Sequence, residues 1–190
     1  NRVGDECAEL RDESRTMLGA AQEAWLDAGF AHTRGRWNLL AQGTVFSHLD
    51  ELAGEGRRYT TDNWNGYFAA RQRVLDGLLR HRVANPVVLS GDIHTFIAGN
   101  IRARPDQPDS APLATEIVAT SISSDGRPQQ QMEGWLRENA DLRVADSRFR
   151  GHVALKLSRQ RLQADLMALE NRDDPESAQR VLRSLVVEDG

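Results

Sequence analysis

Val87-Val88-Leu89-Ser90-Gly91-Asp92-Ile93-His94 is an apolar run that stops at a glycine and is followed at once by two residues able to hold a metal ion. Entered through Asn85-Pro86, the run is short, begins with β-branched residues and is bounded by turn formers. That pattern predicts a buried strand whose carboxyl end opens onto a site. Asp92 and His94 are two residues apart, so if the extended conformation continues through them their side chains project to the same side. A carboxylate oxygen and an imidazole nitrogen so placed form a half-site for one divalent or trivalent ion, or for two adjacent ones. In an ordinary loop the same pair is a turn aspartate and a hydrogen-bonded histidine. Ligands in open α/β sheets collect outside the carboxyl ends of strands, and this pair falls there.

Outward from that strand, helical and strand periods alternate. Leu18, Ala21, Trp25 and Ala28 recur at helical spacing between a candidate N-cap, Ser14, and a candidate stop, Gly29, and predict a core-packing helix. Trp37 to Phe46 reads as a strand, and Leu49 to Thr61 as an exposed, Gly-rich loop suited to a site's rim. Tyr67, Ala70, Val74 and Leu78 form one stripe of a helix predicted over 65–82. Residues 96–103 and 114–122 read as strands, separated by a surface loop marked by Pro105, Pro108 and Pro112. Gln129 to Asn139 reads as a short helix with Met132 and Leu136 inward. Val153, Leu155 and Leu157, then Leu162, Ala164, Leu166 and Ala168, alternate with polar residues about Ser158-Arg159-Gln160 and predict a hairpin. Ser184 to Glu188 reads as one more strand after a short helix begun at Pro175. Such alternation is that of an α/β layered fold.

Composition sets bounds on function. A chain of 190 residues can bury a sizeable core. A net charge of -4 gives no basic footprint for nucleic acid, and no apolar stretch approaches a membrane span. The single cysteine, Cys7, excludes an intrachain disulfide, and its charged surroundings mark it as a free surface or boundary thiol. No repeat, low-complexity tract or interdomain linker is present.

Several blocks carry a family resemblance when read in order: Arg15-Thr16-Met17-Leu18-Gly19, Gln22 and Trp25-Leu26, and Trp37-Asn38-Leu39-Leu40-Ala41-Gln42. They continue through Thr61-Asp62-Asn63-Trp64-Asn65-Gly66-Tyr67, Ala70-Arg71-Gln72-Arg73, Val88 to His94, Thr115-Glu116-Ile117 and Thr120-Ser121-Ile122-Ser123-Ser124 to Phe149-Arg150-Gly151-His152-Val153. By these blocks the chain resembles the C-terminal half of the PhoD-type alkaline phosphatases, members of the calcineurin-like metallophosphoesterase superfamily. The resemblance implies an α/β (mixed α+β) fold, the C-terminal part of a layered αββα sandwich with a mixed β-sheet. Residues 1–190 would then be the C-terminal portion of the phosphatase domain, with the N-terminal half and its aspartate, cysteine, tyrosine and asparagine ligands upstream.

The implied activity is metal-dependent hydrolysis of phosphate mono- and diesters. Asp92 and His94 are its catalytic and metal-holding residues in this chain, and iron and calcium are the implied ions. The residues alone do not separate these from zinc or manganese, nor do they give an oligomeric state. Export to the periplasm, the cell surface or the medium, by the twin-arginine route, is implied by the family only. The alternative is a non-catalytic or degenerate module that binds or scaffolds; the retained Gly91-Asp92-Ile93-His94 speaks against degeneration.

Other residues admit plainer roles. Trp64, Gly66 and Tyr67 read as packing, and Asn65 stands where the family commonly has aspartate, which removes a charge from that position. His48 and His152 read as satisfied or solvent-facing imidazoles, and His32 and His81 as solvated helix-end residues. Glu116 and His48 are the residues that folding could bring beside Asp92 and His94 as a third ligand. Ser121, Ser123 and Ser124 either present hydroxyls to a phosphate or satisfy their own turn. Arg71 and Arg73 are candidate phosphate contacts, at least one of them facing solvent.

Overall fold

Val87 and Val88 are almost fully buried because their strand lies inside a sheet covered on both faces. The structure is a computed structural model describing residues 1–105, 107 and 109–190. In chain order the strands are β1 (Arg2–Gly4), β2 (Asn38–Ala41), β3 (Arg58–Thr60), β4 (Pro86–Ser90), β5 (Phe96–Arg102), β6 (Pro112–Val118), β7 (Leu142–Asp146), β8 (Gly151–Leu157), β9 (Arg161–Leu169) and β10 (Gln179–Glu188). The helices are α1 (Ala20–His32), α2 (Phe68–Arg80) and α3 (Gln129–Glu138), with single 3-10 turns at Ala8–Arg11 and Trp64–Gly66.

A five-stranded sheet has the order β2-β4-β6-β5-β7. Its β2, β4 and β6 are parallel, and β5 runs antiparallel to both β6 and β7. The chain is therefore α/β with a mixed sheet, as predicted. Phe30, Val74, Leu75 and Leu78 of α1 and α2 pack with Val88, Ile101 and Ala114 on one face, and Met132 and Trp135 of α3 pack there with Ile97 and Val118. On the other face Val87, Phe96, Ala98 and Ile117 meet Leu162, Ala164 and Leu166 from a second, three-stranded sheet of order β10-β9-β8. Helices, mixed sheet and antiparallel sheet are the three layers that the described residues supply. Each buried Val, Leu or Phe contributes about 1.5–3 kcal/mol, so these two seams carry most of the stabilisation.

Local pattern and structure part company at several places. The first helix begins at Ala20, after Gly19 at φ +80°, and runs through Gly29 to His32. A helical glycine costs about 1 kcal/mol, which the burial of Phe30 on α2 offsets. Gly77 makes that contact possible, because a Cβ there would lie 3.1 Å from the Phe30 ring. Trp25, expected inward, is 70% exposed beside an apolar groove between α1 and β2. In α3 the inward partner of Met132 is Trp135, one position before the expected Leu136. The second strand stops at Ala41 instead of reaching Phe46, since side chains capture the amides that follow.

The 49–61 loop contains β3, which pairs with β1, a ribbon no local pattern announced. Pro112 opens a strand, and β6 ends at Val118 short of Ile122; Pro108 lies outside the described residues. The expected hairpin of β8 and β9 forms, with Leu157 facing Leu162, but Leu155 and Leu157 are exposed because the inward apolar face is that of β9. No helix forms at Pro175, and β10 starts at Gln179. Among the described residues no helix is long and apolar enough to cross a membrane.

Candidate active site

The loops leaving β2, β4 and β6 all lie at the carboxyl edge of the parallel strands, where β5 also begins. This is where α/β sheets place ligands. A cleft of about 260 Å³ opens there, lined by Thr60, Asp62, Asp92, His94, Asp125 and Arg127 among others. Larger cavities lie elsewhere, about 300 Å³ around His48 and Arg71 and about 470 Å³ between α1 and β2, but neither includes Asp92 or His94.

Asp92 and His94 do share the cleft, although not by continued extension of the strand. Both are left-handed, at φ +74° and +56°, and the Ile93 amide donates to the Gly91 carbonyl at 3.0 Å across Asp92. That is a three-residue turn of a strained kind, held at a cost on the order of 1–3 kcal/mol per residue. Asp and His are among the residues that tolerate this region best, so the motif's chemistry and its backbone select the same side chains.

Each side chain is oriented by a neighbour. Thr44 Oγ1 donates to Asp92 Oδ2 at 3.1 Å. The Asp125 carbonyl lies 2.9 Å from His94 Nδ1; a carbonyl only accepts, so Nδ1 carries a hydrogen, and in the neutral ring the lone pair is on Nε2. Metal-bound imidazoles are commonly fixed by such a bond. The donor set, one imidazole nitrogen and one exposed carboxylate, fits part of a metal centre. Among the described residues no group of three or more His, Cys, Asp or Glu is arranged to hold an ion.

Neither candidate for a third ligand reaches the cleft. Glu116 is wholly buried on β6, where its carboxylate accepts from the amides of Phe46 at 2.7 Å and Ser47 at 2.8 Å and from Ser90 Oγ at 2.5 Å. It secures the loop after β2. Gln42 completes that work: its amide donates to Ser90 Oγ and to the Thr44 carbonyl, and it accepts from the Thr44 amide and Trp64 Nε1. Thr44 is thereby set for Asp92, a chain of contacts invisible in sequence because its members lie up to 70 positions apart.

His48 is occupied elsewhere. Arg71 donates to its Nδ1 at 3.1 Å, so Nε2 carries the hydrogen shared with Tyr59 Oη at 3.0 Å. Burial, with Arg71 beside it, pulls its pKa from 6.5 down to about 2. Folded His48 stays neutral where the unfolded chain takes up a proton, so its contribution to stability falls as pH drops from about 6.5 toward 2. The slope is at most about 1.4 kcal/mol per pH unit. Between pH 7 and 5, where few carboxylates titrate, urea midpoints of the wild type should decline more steeply than those of His48→Gln. Equal slopes would show that His48 is not held neutral.

The remaining candidates are structural. Asn65 is buried; its Oδ1 accepts from the Leu49 amide and Arg71 Nη1, and its Nδ2 donates to the Ser47 carbonyl, which an aspartate could not do. Trp64 packs on Phe46 with ring centroids 4.9 Å apart. Arg71 is buried, and Arg73 forms a two-pronged pair with Glu23 near 2.8 Å, so neither lines the cleft. Ser121 Oγ donates to the Ser124 carbonyl and satisfies its own turn. Cys7 is a free thiol, raised above its ordinary pKa by its hydrogen bond to Glu9. His152 and His32 are exposed, and His81 pairs with Asp27 at 3.0 Å.

One residue that pattern reading passed over holds the site together. Arg150 is 6% exposed, and its guanidinium reaches the carbonyls of His94, Ser124 and Ser147 and Ser121 Oγ at 2.6–3.1 Å. It ties the His94 backbone to the segment that carries Asp125. Gly126 lets these parts close up, since a Cβ would meet Ser147 Oγ, Arg150 Nη2 and the His94 carbonyl at 2.4–2.7 Å.

Comparisons with known proteins bear on the fold and the family. The family model described as PhoD-like phosphatase matches residues 2–166. Alkaline phosphatase D of Bacillus subtilis (strain 168) is 30% identical over 173 residues, covering 90% of this chain and 30% of that protein. A solved structure titled "Structure of PhoD" superposes with a TM-score of 0.90 at 27% identity, covering 100% of this chain and 36% of that one. The chain thus spans about a third of the length of the relatives it matches.

Proposed function

From the chain's membership of the PhoD-like phosphatase family, to which it belongs by the match over residues 2–166, we propose that it takes part in hydrolysing phosphate mono- and diesters. In this reading it supplies the C-terminal part of a metal-dependent site, completed by polypeptide beyond these 190 residues. One observation carries the proposal: Asp92 and a histidine already fixed in the Nδ1–H form line one cleft at the carboxyl edge of the parallel strands. Asp92 and His94 would hold the ion, which when bound neutralises phosphate charge and activates an oxygen nucleophile. Thr44 keeps the carboxylate aimed, the Asp125 carbonyl selects the Nδ1–H tautomer of the neutral imidazole, which presents Nε2 as the ligand atom, and Arg150 holds the two walls in register. Iron and calcium as the ions, and export of the protein, belong to the same proposal on family grounds alone.

The lack of a three-residue ligand group among the described residues favours a divided site over one complete in this chain. A catalytic ion normally takes about three protein ligands, and two leave most of its sphere to water. The purified chain should therefore bind iron or calcium weakly and turn over p-nitrophenyl phosphate and bis-p-nitrophenyl phosphate little, beside a longer polypeptide that does both. Equal affinity and turnover in the two would overturn the divided site. A longer polypeptide that binds metal but hydrolyses neither ester would favour the scaffold reading.

A further inference from the structure

We propose that Arg127 is a phosphate-binding residue of this cleft and favours dianionic phosphomonoesters over monoanionic diesters; the assignment rests on the reading of the cleft as a phosphoesterase site. Asp62 and Asp92 present exposed carboxylates to the cleft, and Asp125 is already paired with Arg172 at 2.5 Å. An entering phosphate dianion meets repulsion from each of these carboxylates, and the repulsion grows as water leaves the cleft. Among the described residues Arg127 is the one arginine or lysine lining the cleft.

Its guanidinium is held but not consumed. The Arg127 Cζ lies 5.3 Å from the centroid of the Trp135 ring, and that indole is 2% exposed and fixed in the core beneath α3. No hydrogen bond or ion pair joins the guanidinium to another described residue. The ring contact uses none of the guanidinium's N–H donors on a protein acceptor, and that donor fork matches phosphate oxygens. The backbone is fixed as well: Ser147 Oγ donates to the Arg127 carbonyl, and the close contacts at Gly126 pin the preceding residue beside His94. An arginine restrained at both ends loses little freedom on binding an anion. Arg150, by contrast, is buried, does not line the cleft, and turns Nη1 and Nη2 to protein oxygens.

The first test follows the Arg127 Nε–H resonance of the purified chain, with calcium present, during titration with inorganic phosphate and with chloride at equal ionic strength. A saturable shift with phosphate alone, lost in Arg127→Gln and partly kept in Arg127→Lys, is expected. No phosphate-specific shift would overturn the assignment. In a polypeptide carrying the complete site, Arg127→Gln should raise the monoester KM about tenfold, with a smaller effect on kcat and on the diester KM. Equal effects on both esters would overturn the selectivity. Failure of the underlying reading looks different: Asp92→Asn with normal turnover removes the metal site whatever Arg127 binds, whereas an inactive Asp92→Asn beside an indifferent Arg127→Gln removes this proposal alone.

Discussion

Asp92→Asn and His94→Asn are each expected to lower phosphate-ester hydrolysis by at least about 10²-fold in a polypeptide that carries the complete site, equivalent to about 2.7 kcal/mol of lost transition-state stabilisation. Fold stability should stay within about 0.5 kcal/mol, the usual range for an exposed site. The choice of asparagine matters. Both positions are left-handed, a region asparagine tolerates, whereas His94→Ala adds a backbone cost on the order of 1 kcal/mol that would blur loss of the ligand with loss of the turn. Metal affinity should fall with activity. It should also weaken as pH falls, because coordination needs Asp92 ionised and His94 neutral. Near-normal turnover at saturating metal in either variant would show that the pair is not the ligand set.

Arg150→Met should be the most damaging single change to the site's architecture. Methionine fills similar space but takes the guanidinium from the buried Ser147 carbonyl and from the part-buried His94 carbonyl and Ser121 Oγ, while the Ser124 carbonyl keeps only Ser121 Oγ. At about 1 kcal/mol for each of the three that lose their donor, the loss is about 2–3 kcal/mol, at the upper side of the usual range for single substitutions. The effect should reach His94 without touching its side chain. Once the 121–126 segment is free of the guanidinium, the Asp125 carbonyl no longer stays opposite Nδ1, and imidazole nitrogen spectra should show both tautomers where the wild type shows Nδ1–H. Arg150→Lys keeps a cation of lesser reach and should fall between. A destabilisation under about 1 kcal/mol with an unchanged tautomer would mean that the site is held by something else.

How much of this was legible depended on the range of the interaction. The Val87 to Ser90 strand, the helix with Val74 and Leu78 inward, and the β8–β9 hairpin were readable because burial on a sheet or helix face repeats every two or 3.6 residues. The position of Asp92 and His94 at a strand end was readable for the same reason. Their conformation was not: the extended continuation that would align them is replaced by a left-handed turn, and the cleft they share is made by the turn. Trp25 shows the converse, an aromatic at helical spacing that the described layers leave exposed.

The sequence by itself determined the α/β alternation of the main helices and strands, the family, and the position of an aspartate and a histidine at the end of a buried strand. Those are properties of a local pattern or of a string of matched residues. Only the tertiary structure decided that Glu116 secures a loop instead of holding a metal, that His48 is locked neutral between Arg71 and Tyr59, and that Arg150 clamps the site which Arg127 borders. A buried polar side chain must find partners wherever the fold supplies them. Apart from Ser147, three positions from Arg150, the hydrogen-bond partners of Glu116, His48 and Arg150 lie from 11 to 70 positions away, beyond the reach of any local pattern.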